Sequence, residues 1–156
     1  MSRMTYLWIQ TSSISKKSLI AYDGKVYNKG EAFYDKMFKK LDSLIQHNSL
    51  VYRGESFSIC SIPLRGWCVS GHFEEKDDLG RNVAFTFYTD SDNPKWIVEE
   101  LFKQVRECKQ SLGDDIPSIL YECLNKVVRK RKLKRLIKIV LFGVFMLLML
   151  ALWMRK

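Results

Sequence analysis

The sequence predicts an α+β fold: a small, mainly antiparallel sheet covered by two helices and followed by a C-terminal transmembrane helix. Three observations carry this. Short segments rich in aromatic and β-branched residues alternate with period two, as half-buried strands do. Two longer segments repeat apolar residues at three- and four-residue steps, as amphipathic helices do. Residues 139–154, IVLFGVFMLLMLALWM, form sixteen positions without a charge. At 156 residues, 47% hydrophobic and 28% charged, the chain has the length of one domain and too much apolar content for a disordered one.

Thr5–Thr11 sets Tyr6, Trp8 and Gln10 against Leu7 and Ile9, and predicts the first strand. A second is expected at 18–22 and a third at 25–27, joined through Asp23 and Gly24, because a type I′ turn needs positive φ at both central positions and this pair tolerates it. Over 31–47, Phe33, Tyr34, Met37, Phe38, Leu41, Leu44 and Ile45 share one side of a helix, with Lys36, Lys39, Lys40 and Asp42 on the other. Strands are expected next at 50–53 continuing through Phe57–Ser61, at 66–73 and at Asn82–Thr89. The last two flank a charged turn in which Gly80 can take positive φ, and should pair as a hairpin. A second helix starts after Asn93 or Asp92 as cap, with Pro94 at its first position, buries Ile97, Leu101, Phe102, Val105 and Cys108, and stops near Gly113. A last helix begins near Pro117 and presents Ile119, Leu120, Cys123, Leu124, Val127 and Val128. With no Gly or Pro before Gly143, it runs unbroken into the apolar stretch.

Charge divides the chain. Ten of its 26 basic residues and none of its 17 acidic ones lie in 126–156, so residues 1–125 are close to neutral at −1. The overall +9 is therefore a property of the tail, which argues against a nucleic-acid module. The organisation read from this is a cytosolic α+β domain at 1–125, a basic juxtamembrane helix or stalk at 126–138 and one span at 139–154.

Counting from Leu136, the apolar stretch is nineteen residues with Lys138 inside it, ~28 Å of helix against a hydrocarbon core of ~30 Å. Lys138 can carry its ammonium to the interface, and Trp153 suits the opposite membrane interface. Arg129, Lys130, Arg131, Lys132, Lys134, Arg135 and Lys138 precede the span while Arg155 and Lys156 follow it, which places the N-terminal domain in the cytoplasm at the inner (plasma) membrane. So short a tail reads as a tail anchor inserted after synthesis. The seven cations suit anionic lipid headgroups. Nothing in the span is ionisable, which argues against a selective channel, and Gly143 and Ala151, eight positions apart on roughly one face, encode helix packing only weakly. The N-terminus lacks the apolar core of a signal peptide, and no Asn-X-Ser/Thr sequon occurs.

Chemistry leaves few marks. Cys60, Cys68 and His72 lack the paired spacing of a zinc site, so no metal and no cofactor is expected. A Cys68/His72 nucleophile and base, assisted by Asp77 or Asp78, would stand ~13 Å apart along one strand. No phosphate-loop, dinucleotide, zincin or esterase motif is present, and the expectation is a non-enzyme. The most specific cluster is Asp77, Asp78 and Arg81 at the hairpin tip with Trp67, Phe85 and Phe87 nearby, the charged rim and apolar anchors of a protein contact. The layout resembles small tail-anchored proteins of bacterial antiviral defence operons, in which a cytosolic sensing domain sits on a membrane helix. The function expected is a sensor or adaptor module that binds a cytosolic protein or a second copy of itself. The alternative is an effector that oligomerises on a trigger and permeabilises the membrane.

Overall fold

The structure, a computed structural model, describes residues 5–11, 17–21, 26–28, 30–63, 66–76 and 79–155. Its elements run β1 (Thr5–Thr11), β2 (Lys17–Ala21), β3 (Val26–Asn28), α1 (Ala32–Gln46), β4 (Ser49–Arg53), β5 (Phe57–Ser61), β6 (Trp67–Lys76), β7 (Asn82–Thr89), α2 (Pro94–Glu107) and α3 (Ile116–Met154). The strands form one sheet in the order β3-β2-β1-β7-β6-β5-β4, with every pairing antiparallel. Two meanders, β1 to β3 and β4 to β7, are joined where β1 pairs with β7, from Thr5 opposite Thr89 to Thr11 opposite Val83. Helix α1 carries the chain from one edge of the sheet to the other.

Alternation along the strands assigns the faces. Leu7, Ile59, Val69, Phe85 and Phe87 pack on one side with Ile97 and Leu101 of α2 and Leu120 and Leu124 of α3. Cys68 and Tyr88 face the other way, onto Tyr34 and Met37 of α1, with Tyr6, Trp8 and Cys60 beside them. The fold is α+β with a C-terminal apolar helix, and the third helix lends its first turns to the layer that α2 begins.

Local chemistry accounts for most boundaries. Asn93 caps α2, its Oδ1 accepting from the Trp96 backbone N–H at 3.2 Å, with Pro94 in the first turn. The helix ends at Glu107, short of Gly113, because Lys109 takes φ 56° and the Gln110 N–H returns to the Val105 carbonyl. Residues 50–61 are not one continuous strand. They fold into the β4–β5 hairpin, closed by the Gly54 N–H donating to Phe57 O at 3.0 Å, and this adds an edge to the sheet. The turn expected at Asp23 and Gly24 lies outside the described residues. Gly66 sits at φ 116° where a Cβ would come within 2.6 Å of the Thr89 carbonyl, so this turn requires glycine.

Helix α3 settles the relation between sheet and tail. Ile116, Leu120, Leu124 and Val128 are buried at every fourth position, whereas Ile119 is exposed. The docked face thus extends beyond residue 125, where charge alone placed the end of the domain, because one apolar stripe continues beneath the cations. Near the start of α3 the Glu74 N–H of β6 donates to Ser111 O, and at Arg131 the helix reaches the β5–β6 turn. Fifteen helical residues cover ~22 Å and seven strand residues ~23 Å, so α3 lies along the strands. Leu124→Ala is expected to destabilise the domain by ~2–5 kcal/mol in denaturant titration. A fragment ending at residue 135 should unfold at higher denaturant than one ending at 125, which loses Val128 and Arg131.

Candidate functional site

The end of the sheet from which α3 leaves gathers the most specific polar geometry. The Arg131 guanidinium donates from Nη1 to Gly66 O at 2.7 Å and from Nη2 to Ile62 O at 2.8 Å. Its Cζ stands 4.8 Å from the centre of the Trp67 ring. The Trp67 indole Nε1–H donates to Asp92 Oδ1 at 2.8 Å, and Asp92 Oδ2 lies 3.7 Å from Arg135 Nη1. Two successive turns of α3 are thereby tied to the β5–β6 turn and to the loop before α2. A planar fork is needed to meet two carbonyls while stacking on an indole, which an ammonium cannot do.

Beside this tie a cleft of about 440 Å³ opens between α3 and the edge strand β4. Ser49, Leu50 and Val51 form one wall, Val127, Lys130, Arg131 and Lys134 the other, and Ser61 and Trp67 lie between them. Leu50 and Val51 are 55% and 42% exposed, unusual for neighbouring apolar residues on a strand. Among the described residues no acidic side chain lines the cleft.

The predicted rim does not assemble. Trp67, Phe85 and Phe87 are 1%, 3% and 0% exposed, packed in the core under α2 and α3, and so are not surface anchors. Trp67 is opposite Thr89, whereas Arg81 precedes Asn82 at the far end of β7, ~23 Å away. Asp77 and Asp78 lie outside the described residues. Of the seven cations, Arg129, Lys130, Lys132, Lys134, Arg135 and Lys138 are exposed, while Arg131 is half-buried and engaged with the sheet. Gly143, Ala151 and Trp153 lie on the exposed helix, and a Cβ at Gly143 would meet nothing within 4 Å.

The cysteine candidates resolve as packing. Cys60 and Cys68 are direct partners across β5 and β6, and burial pushes the Cys68 thiol up to about 12, the wrong direction for a nucleophile. Among the described residues no group of three His, Cys, Asp or Glu side chains is placed to hold a metal. The residues that sequence reasoning missed are Asp92, weighed only as a helix cap, and Leu50 and Val51, read as ordinary strand. The exposed apolar pair was the available signal, and it becomes visible only once β4 is known to be an edge.

The chain matches no family model, no curated protein and no solved structure. What the site contributes is therefore read from its own geometry. The apolar half of α3 is long enough to cross a membrane, and none of it is buried within the protein.

Arg131→Ala is expected to remove two charge-assisted hydrogen bonds and a cation–π contact, destabilising the docked end of α3 by about 2–4 kcal/mol. Hydrogen exchange should show faster amide exchange at residues 124–135 and at the β5–β6 turn, with α2 little changed. Arg131→Lys should recover less than half of the loss.

Proposed function

We propose that this protein is a membrane-anchored, non-enzymatic binding module, with its α+β domain on the cytoplasmic side of the inner (plasma) membrane. The observation that carries the proposal is α3 itself. One unbroken helix begins as a core element, passes a belt of cations and ends as an unburied apolar stretch of spanning length. A helix packed into its domain by Leu120, Leu124, Val128 and Arg131 fixes the domain's stance on the bilayer, as suits an adaptor that presents a surface. Cytoplasmic placement is supported by the seven basic residues on the domain side of the span.

The partner expected is a cytosolic protein or a second copy of the chain. The β6–β7 hairpin tip, where Leu79 is 74% exposed, stands at the end of the sheet farthest from the departure of α3 and is the part best placed to reach it. The likeness of layout to tail-anchored proteins of bacterial defence operons supports a sensing role.

Alkaline carbonate should leave the protein in the membrane pellet, and protease added to intact spheroplasts should leave the domain uncut. Digestion from outside would refute the cytoplasmic placement. Replacing residues 139–154 with an unrelated apolar helix of equal length should preserve membrane association and cause no propidium uptake on overproduction. If the native chain admits propidium and the replacement does not, the span itself is the active element and the effector alternative holds.

A further inference from the structure

We propose that the cleft between β4 and α3 binds the headgroup phosphate of an anionic phospholipid in the leaflet from which α3 enters the membrane. The proposal rests on the membrane-anchored reading and adds a defined site to what a belt of cations would otherwise do diffusely. Lys130 and Lys134 are four residues apart, so they stand one above the other on the same side of the helix, and both line the cleft. Lys134 precedes Leu136 by two residues, ~3 Å along the axis, and Lys130 by six, ~9 Å. The interfacial layer of each leaflet is roughly 5–8 Å deep, which puts Lys134 within it and Lys130 at its outer edge.

The remaining walls fit the same ligand. Arg131 contributes positive charge from a fixed position, because both of its terminal nitrogens are held by the Ile62 and Gly66 carbonyls. Ser49 and Ser61 bring hydroxyl donors, and the exposed Leu50 and Val51 complete the wall opposite the helix. The volume of about 440 Å³ is within the ~300–1,000 Å³ of small-ligand clefts. Several cations with no acidic lining residue complement a phosphate better than they complement an extended peptide added to β4. Arg129 and Lys132 are also exposed but do not line the cleft, which makes them an internal control.

The test uses the full chain in nanodiscs of phosphatidylcholine with a minority of phosphatidylglycerol, and native mass spectrometry to count phosphatidylglycerol retained after detergent release. Wild type and the Arg129→Gln/Lys132→Gln double variant should retain it equally. The Lys130→Gln/Lys134→Gln double variant, with the same loss of charge, should retain it about thirty-fold less, equivalent to ~1 kcal/mol for each cation. Ser49→Glu, which sets a repelling charge on the opposite wall without touching the helix, should reduce retention as well.

Equal loss in both double variants would mean diffuse attraction and would overturn the cleft. So would absence of retained phosphatidylglycerol in wild type that remains embedded. Displacement of the lipid by soluble glycerol phosphate would identify a soluble anion as the ligand and overturn the lipid assignment. Loss of the chain from membranes in alkaline carbonate would remove the anchored reading itself, and is scored separately from lipid retention.

Discussion

The fork of Arg131 over Trp67 is the contact on which the rest of the arrangement depends. Its two hydrogen bonds fasten the helix to the β5–β6 turn near the end of the docked stretch of α3. Above it, Val128 and Leu124 hold the helix by apolar packing. Asp92 extends the tie by joining Trp67 to Arg135, so the loop before α2 is part of the same assembly. The cleft beside β4 exists because this tie holds the helix in place next to an edge strand.

Two burial rules meet on one helix. Over its first four turns α3 follows the soluble-protein rule, with one apolar stripe against the core and charges elsewhere. From residue 139 it is apolar on every side and long enough to cross a membrane. The change from one rule to the other occurs within the cationic belt, across which the helix continues without interruption. No hinge glycine or proline separates the two regimes, so a displacement of the domain is transmitted to the span.

Much of the fold was legible in the sequence. Thr5–Thr11 and Asn82–Thr89 declare themselves by alternation, and Asn93-Pro94 by capping chemistry, because those signals are local. The β4–β5 hairpin did not, since Gly54-Glu55-Ser56 lacks the residues of a tight primed turn and the apolar pattern on either side looks continuous. The site was less legible. Alternation shows that Phe85 and Phe87 share a face, but not that α2 and α3 cover it, so core residues were read as surface anchors. Arg131 was indistinguishable from six neighbouring cations in one dimension. Its role appears only when Ile62, Gly66 and Trp67, more than sixty positions earlier, are brought to it.

The alignment of α3 with the strands gives the span axis and the strands a roughly common direction. Copies of the chain sharing a bilayer, with their domains on the same side, have spans that point the same way, and their β4 strands must do so too. Antiparallel joining of two β4 edges would reverse one span and is incompatible with a common membrane orientation. Only parallel joining remains, the slightly weaker geometry per residue. For an anchored chain the bilayer would thus act as an orientation filter on an edge strand that carries exposed Leu50 and Val51, disfavouring the stronger antiparallel pairing that would otherwise be open to it.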